Sequence, residues 1–107
     1  MSTPTPSWLT EPCPPWCSRA HTPLDHPDDR AHTSEPITIP TVERIPMASA
    51  DGIRYRQDTL TLQVGLHRLI GAHDTWVYIG DGYERGIEVP PLAARQLADA
   101  LCRVLGG

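Results

Sequence analysis

The residues best suited to chemistry in this chain are two cysteines and a histidine, Cys13, Cys17 and His21, each four positions from the next. Residues four apart lie on one face of a helix. Pro14 and Pro15 would fall in the first turn, where a missing N–H is tolerated. The spacing therefore predicts one short helical turn that points two sulfurs and an imidazole in the same direction.

Thiolates and imidazoles at such short spacing are typical ligands of a tetrahedral Zn²⁺ ion. His26 and His32 follow within reach, and either one would complete a set of four. Four protein ligands make a site structural, whereas three leave a position for water and make catalysis conceivable. The alternative is a proline-rich segment that binds nothing, because the C-x3-C spacing is looser than the usual C-x2-C.

Composition limits what the protein can be. The chain has 107 residues, enough for one small domain, with 39% hydrophobic residues and a net charge of −4. An acidic balance argues against a dedicated nucleic-acid binder and against an anionic membrane surface. No apolar run is long enough to span a membrane, and the N-terminus has no signal-peptide pattern. We therefore expect a cytoplasmic protein, whose three cysteines serve metal binding more readily than disulfides.

The elements that must position these ligands divide the chain into three parts. Residues 1–12 are expected to be a disordered tail, with Trp8 as a residue that can dock onto the domain. Residues 13–36 form the Cys/His segment, and eight of the twelve prolines lie within residues 1–36. That segment cannot bury enough apolar surface to order itself, so a metal would have to pin it. Residues 37–107 make a small α+β domain.

Apolar patterning predicts three or four antiparallel strands in that domain. Residues 37–47 are extended, but their two prolines confine them to a sheet edge. Residues 59–66 alternate apolar and polar side chains, the period of a half-buried strand. Residues 75–79 have two apolar faces, and residues 83–89 form a short fourth strand. The second face of the third strand needs a cover, which is either the Cys/His segment with Trp16 or a second copy of the chain.

A C-terminal helix completes the expected fold. Pro91 suits the first helical position, and the pattern runs to Leu105. Its apolar stripe follows the i, i+3, i+4 period and consists of Ala94, Leu97, Ala98, Leu101, Val104 and Leu105. We expect this helix to lie on one face of the sheet, over Leu60, Leu62, Val64 and Leu66. Cys102, at the edge of the stripe, is expected to be a small buried hydrophobe.

No catalytic or cofactor-binding pattern is found in the sequence, whether a phosphate loop, a nucleophile elbow, an H-E-x-x-H helix or a paired carboxylate. The favoured hypothesis is a non-enzymatic interaction module, held together by structural zinc, that acts on a protein partner as a monomer or homodimer. One alternative is a thiol- or metal-dependent enzyme that uses Cys13, with a pKa lowered at a helix N-terminus, and Cys17. Another is a small nucleic-acid-binding regulator.

Two motifs together resemble a known family. The first is Cys13-Pro14-Pro15-Trp16-Cys17 with His21, and the second is Pro91-Leu92-Ala93-Ala94-Arg95-Gln96-Leu97-Ala98-Asp99-Ala100-Leu101. They are similar to motifs of small actinobacterial and actinophage proteins classed as a domain of unknown function. The GC-rich codon usage implied by the absence of Lys, Asn and Phe agrees with that origin. The later His32-Thr33-Ser34-Glu35-Pro36 also resembles this family, which implies His32 and not His26 as the fourth ligand.

Overall fold

The computed structural model describes residues 6–106, so the first five residues of the expected tail lie outside the described range. The described residues form one antiparallel sheet and one helix. The elements are β1 (Ala31–Thr33), β2 (Ile37–Ser49), β3 (Gly52–Leu69), β4 (Trp76–Gly80), β5 (Gly86–Val89) and α1 (Pro91–Val104), with a 3-10 turn at Pro27–Asp29. The expected α+β class, with a small antiparallel sheet and a C-terminal helix, is confirmed.

Strand β3 is the centre of the sheet. One of its edges pairs with β2 along Gly52–Val64 and with β1 along 67–69. Its other edge pairs with β4 along 63–67, and β4 in turn pairs with β5. Strand β1, which the sequence did not predict, is only three residues long and carries no readable periodicity.

The β2–β3 hairpin extends well past the rest of the sheet. Its turn lies between Ser49 and Gly52, where Gly52 has a φ of 119° that suits glycine. Because β4 begins its pairing only at position 63, residues 52–62 of β3 have β2 as their single strand partner among the described residues. We call residues 39–49 and 52–62 the arm. It is a two-stranded ribbon, a structure of marginal stability by itself in water.

The two faces of the sheet differ in chemistry. Directly paired residues point to the same face, so the register defines an apolar face made of Ile37, Ile39, Leu60, Leu62, Val64, Leu66, Val77, Ile79, Ile87 and Val89. The opposite face carries Trp76, Tyr78, and a contact of 3.2 Å between His67 Nδ1 and a Glu88 carboxylate oxygen. Most side chains of the apolar face are half-buried or exposed, for example Ile37 at 67% and Ile87 at 55%.

Helix α1 does not cover the apolar face, contrary to expectation. Its contacts with the sheet lie mainly beside β4, and within the chain its stripe is open, with Leu101 53% and Val104 83% exposed. Pro90 is the single residue between β5 and Pro91, so two successive prolines restrict the junction that aims the helix. Across residues 6–106, Ala31 is the one hydrophobic residue that is fully buried.

The Cys/His segment also lies elsewhere than expected. It contacts the end of the sheet where β1 joins β3, because pairing of residues 31–33 with 67–69 holds it there. This segment was one of two expected covers for the third strand, but Trp76 stays 39% exposed. Tyr78 instead lies over the β4–β5 hairpin, where its hydroxyl accepts a hydrogen bond from the Gly82 N–H at 2.8 Å.

Candidate metal centre

The backbone around the two cysteines is a single tight turn. The Cys17 N–H donates to the Pro14 carbonyl at 3.0 Å, and the Ser18 N–H then donates to the Thr33 carbonyl at 2.9 Å. The chain therefore leaves the turn by attaching to β1, and the expected four-residue stacking does not continue to His21. His21 approaches Cys17 across a loop instead, while β1 supplies His32 from the other side.

The four side chains proposed from the sequence are brought together. One ligand atom from each of Cys13, Cys17, His21 and His32 lies within 4.8 Å of all the others. Cys17 Sγ and His21 Nε2 are 3.6 Å apart. A sulfur and a nitrogen bound to one tetrahedral Zn²⁺ would be separated by about 3.5–3.6 Å, given Zn–S of about 2.3 Å and Zn–N of about 2.0–2.1 Å. The group is close enough to hold a metal ion.

Both histidines are buried, and each has one ring nitrogen with no hydrogen-bond partner. His32 is 0% exposed and His21 is 8% exposed. The unpartnered atoms are His21 Nδ1 and His32 Nδ1. A buried polar atom left without a partner costs about 1–3 kcal/mol. A cation in the cluster would supply a partner for His32 Nδ1, whereas His21 faces Cys17 with Nε2, so its Nδ1 would stay unpartnered.

Glu11 is the functional residue that the sequence did not reveal. Its carboxylate accepts hydrogen bonds from the Gly71 N–H and from His32 Nε2, the latter at 3.3 Å, and lies 3.7 Å from Arg68. These partners, with the Gly71 N–H as the largest cause, hold the pKa of Glu11 below its ordinary value. A carboxylate on the outer nitrogen of a histidine fixes its tautomer and leaves the inner nitrogen, Nδ1, free to bind metal.

Two tryptophans pack against the histidine rings. Trp8 meets His21 edge-to-face at 5.5 Å between ring centroids and donates from Nε1 to the Thr22 carbonyl at 2.9 Å. Trp16 meets His32 in the same way at 6.4 Å. Both indoles therefore act as packing residues that help to shield the rings from water, and Trp8 docks on the domain as the sequence suggested.

The other candidate residues lie outside this cluster. His26 uses Nδ1 to accept from the Asp28 N–H at 3.1 Å, and its side chain is 65% exposed. It caps the 3-10 turn that starts at Pro27. Cys102 is exposed on α1 and not buried as expected.

The surroundings of Cys13 disfavour a thiolate in the metal-free chain. Partial removal from water, followed by the neighbouring Cys17 sulfur, raises the pKa of the Cys13 thiol. Cys13 also precedes a single turn and not a helix, so the helix N-terminus invoked for a low pKa is missing there. The arrangement suits two thiols that are deprotonated by a bound cation.

Within residues 6–106, no helix has the length and apolar content needed to span a membrane. Comparison with curated proteins and with solved structures returns no match. A comparison with protein-family models does return one, and it covers residues 1–106. The chain therefore belongs to the family described as a domain of unknown function, DUF6907.

Proposed function

We propose that the protein is a non-enzymatic interaction module whose N-terminal segment is held to the sheet by a structural Zn²⁺ ion. The observation that carries the proposal is the convergence of Cys13, Cys17, His21 and His32 within 4.8 Å, with Nδ1 of the buried His32 left without a hydrogen-bond partner. Four protein ligands fill a tetrahedral site and leave no position for substrate.

The donor set favours zinc over other cations. Two thiolates and two imidazoles are soft to borderline ligands, which suit Zn²⁺ and not Mg²⁺ or Ca²⁺. Two thiolates also cancel the ion's charge, so the ion with its four ligands would carry no net charge. The two remaining imidazole rings are already packed by Trp8 and Trp16.

Zinc would also explain how the segment is ordered. From Pro12 to Arg30 the chain has no strand and no α-helix. It consists of irregular backbone, isolated turns and one short 3-10 helix. Such a segment buries little apolar surface, so the free energy of metal binding would supply its folding energy. Free thiols are retained in a reducing compartment, which supports a cytoplasmic protein; the family resemblance supports an actinobacterial or phage origin.

The interaction role rests on the exposed apolar surfaces. The apolar face of the sheet and the stripe of α1 are both open in the single chain, and exposed apolar area of this extent marks protein contact sites. A protein partner is therefore favoured over a small substrate.

Metal analysis of protein purified without chelator tests the proposal. We expect one zinc per chain and no fast-reacting thiol at Cys13 or Cys17. His32→Ala should lower zinc affinity by more than about 100-fold, beyond the ~10–100-fold cost of losing an outer-shell partner. His26→Ala is the matched control and should leave affinity unchanged. Metal-free protein with two reactive thiols, or loss of zinc in the His26 variant alone, would overturn the assignment.

A further inference from the structure

We infer that the protein is an obligate homodimer in which α1 of each copy lies on the apolar face of the other. The partner of the proposed interaction module is thus a second copy of the chain. The dimer depends on the proposed function only in that these surfaces serve interaction. The metal takes no part in it.

The first support is the amount of surface that the single chain exposes. A folded monomer of 11.8 kDa is expected to expose about 5,900 Å², whereas this chain exposes 8345 Å². The excess is about 2,400 Å² per chain and lies partly on the arm. Burial of half of it in each copy would already reach the ~2,000–5,000 Å² of obligate dimers. The radius of gyration is 18.4 Å, against about 13 Å for a compact chain of this length.

The second support is that the chain contains both halves of one missing core. The sheet offers ten apolar side chains on one face, and α1 offers an apolar stripe with Leu97 40% and Leu101 53% exposed. These two surfaces match in chemistry but do not cover each other within the chain. The prolines at 90 and 91 restrict the backbone where the helix would have to fold back.

The third support is that the two surfaces match in size. Helix α1 has 14 residues, a length of about 21 Å at 1.5 Å per residue. Four neighbouring strands spaced about 4.8 Å apart are about 14–19 Å wide, so one helix can cross the whole face. A hollow of about 270 Å³ on that face, lined in part by Leu60, Leu62, Ile79 and Ile87, can receive a leucine of the partner's helix.

A two-fold axis between two copies allows the apolar face and the helix stripe of each chain to be covered together. In an isologous interface each patch is used twice, so exchange of the two helices covers both apolar faces and both stripes in one step. It also places a second chain against the base of the arm, because Leu60 and Leu62 belong to both the arm and the apolar face. A foreign partner would have to bring both a helix-like stripe and a sheet-like face, whereas a second copy has both.

Sedimentation equilibrium on zinc-loaded full-length protein tests the inference. We expect a mass of twice 11.8 kDa and a thermal midpoint that rises with protein concentration. Leu97→Glu on the stripe should lower the dimer fraction strongly, and Gln96→Glu on the opposite side of the helix should not. Ile39→Glu on the apolar face should act like Leu97→Glu, while its neighbour Thr38→Glu, on the other face, should leave the dimer intact.

Mixing the two disrupted variants distinguishes exchange from other arrangements. The Ile39→Glu chain keeps an intact helix and the Leu97→Glu chain keeps an intact apolar face, so the mixture should regain association and circular dichroism that neither variant has alone. A dimer formed by helix against helix would survive Ile39→Glu and would gain nothing on mixing, and that result would overturn the inference.

A wild-type chain that stays monomeric and folded with zinc bound would also overturn the homodimer. The proposed zinc-held module would then stand, with a different protein as its partner. A dimer without zinc would instead remove the metal from the proposed function and leave the exchange standing. Zinc content is therefore measured on every sample used for mass determination.

Discussion

Glu11 shows how one side chain joins three parts of the protein. Its two oxygens bind a histidine of β1 and a backbone N–H at Gly71, and Arg68 of β3 is nearby. Without this carboxylate His32 could rotate or change tautomer, and Nδ1 would no longer be the nitrogen left free for a cation. Glu11 thus anchors the N-terminal segment and would position His32 as a ligand of the proposed metal ion.

Glu11→Gln is expected to lower zinc affinity by about 10-fold or more, as loss of an outer-shell carboxylate usually does. The amide keeps the size of the side chain but removes the charge that stabilises a metal-bound imidazole. Competition with a chromophoric chelator measures the affinity. Glu35→Gln, an exposed acid outside the cluster, is the matched control, and equal effects of the two substitutions would exclude a specific role for Glu11.

The buried His21 predicts a pH dependence of the metal-free protein. Burial, and then the neighbouring His32, lower the pKa of His21 below its ordinary value of 6.5. The folded state therefore favours the neutral ring, so this contribution to stability is complete above about pH 6.5 and is lost as the pH falls through the lower folded value.

Thermal unfolding of chelator-treated protein should give a midpoint that decreases from about pH 7 to about pH 5, because the unfolded chain binds the extra proton more readily. His21→Gln, which cannot titrate, should flatten this part of the curve. An unchanged slope in the variant would assign the pH dependence to other groups.

Among the elements, the arm depends on a contact made far from its own turn. Arg85, in the loop between β4 and β5, forms two hydrogen bonds to the Glu43 carboxylate at 2.6 and 3.1 Å. It also reaches Asp81 at 3.4 Å, and Asp81 accepts from three backbone N–H groups of the same loop. The loop is therefore ordered by Asp81, and Arg85 connects it to β2.

Arg85→Ala is expected to loosen the arm with little effect on global stability. The Arg85 side chain is 63% exposed, and exposed ion pairs contribute about 0–1 kcal/mol. Amide hydrogen exchange in residues 41–47 should become faster. Arg103→Ala, which removes an exposed pair with Asp99 at 2.8 Å on α1, is the control, and equal exchange in both variants would contradict the role of Arg85.

Local patterns predicted the elements well, because each pattern lies within a few residues. The C-x3-C-x3-H spacing and the family-like His32 named the four side chains that converge. The period-2 pattern of residues 59–66 lies within β3, the apolar run 75–79 overlaps β4, and the period-3.6 pattern placed α1. Glu11 could not be predicted, since its partners lie 21 and 60 residues away in the chain. The stripe of α1 indicated that apolar area must be buried, but a stripe contains no information about whose surface buries it.

For the molecule as a whole, stability is expected to come from two separate sources. The metal would hold the segment from Pro12 to Arg30, and the contact between copies would hold the sheet and helix. The single chain is elongated, with principal dimensions of 61 × 31 × 25 Å. Neither the metal alone nor the contact between copies alone would hold all parts of this elongated chain.

Removal of the metal is expected to release the N-terminal segment while the sheet stays folded. Trypsin should then cleave after Arg19, an exposed residue of that segment, much faster than in zinc-loaded protein. Mass spectrometry of the early fragments measures this. Arg19→Gln is the control that removes the site, and equal cleavage rates with and without metal would show that the segment is held by packing alone.

The reach of Glu11 also has a consequence for the order of events during synthesis. The four proposed metal ligands lie within residues 13–32, so a cation could close that short loop as soon as these residues leave the ribosome. The hydrogen bond from Gly71 spans 60 residues, and closing so long a loop costs more chain entropy and waits for the β3–β4 turn. If the site binds zinc, we therefore expect a nascent chain to capture the ion early in a loose site, which tightens only when β3 and the turn after it are made.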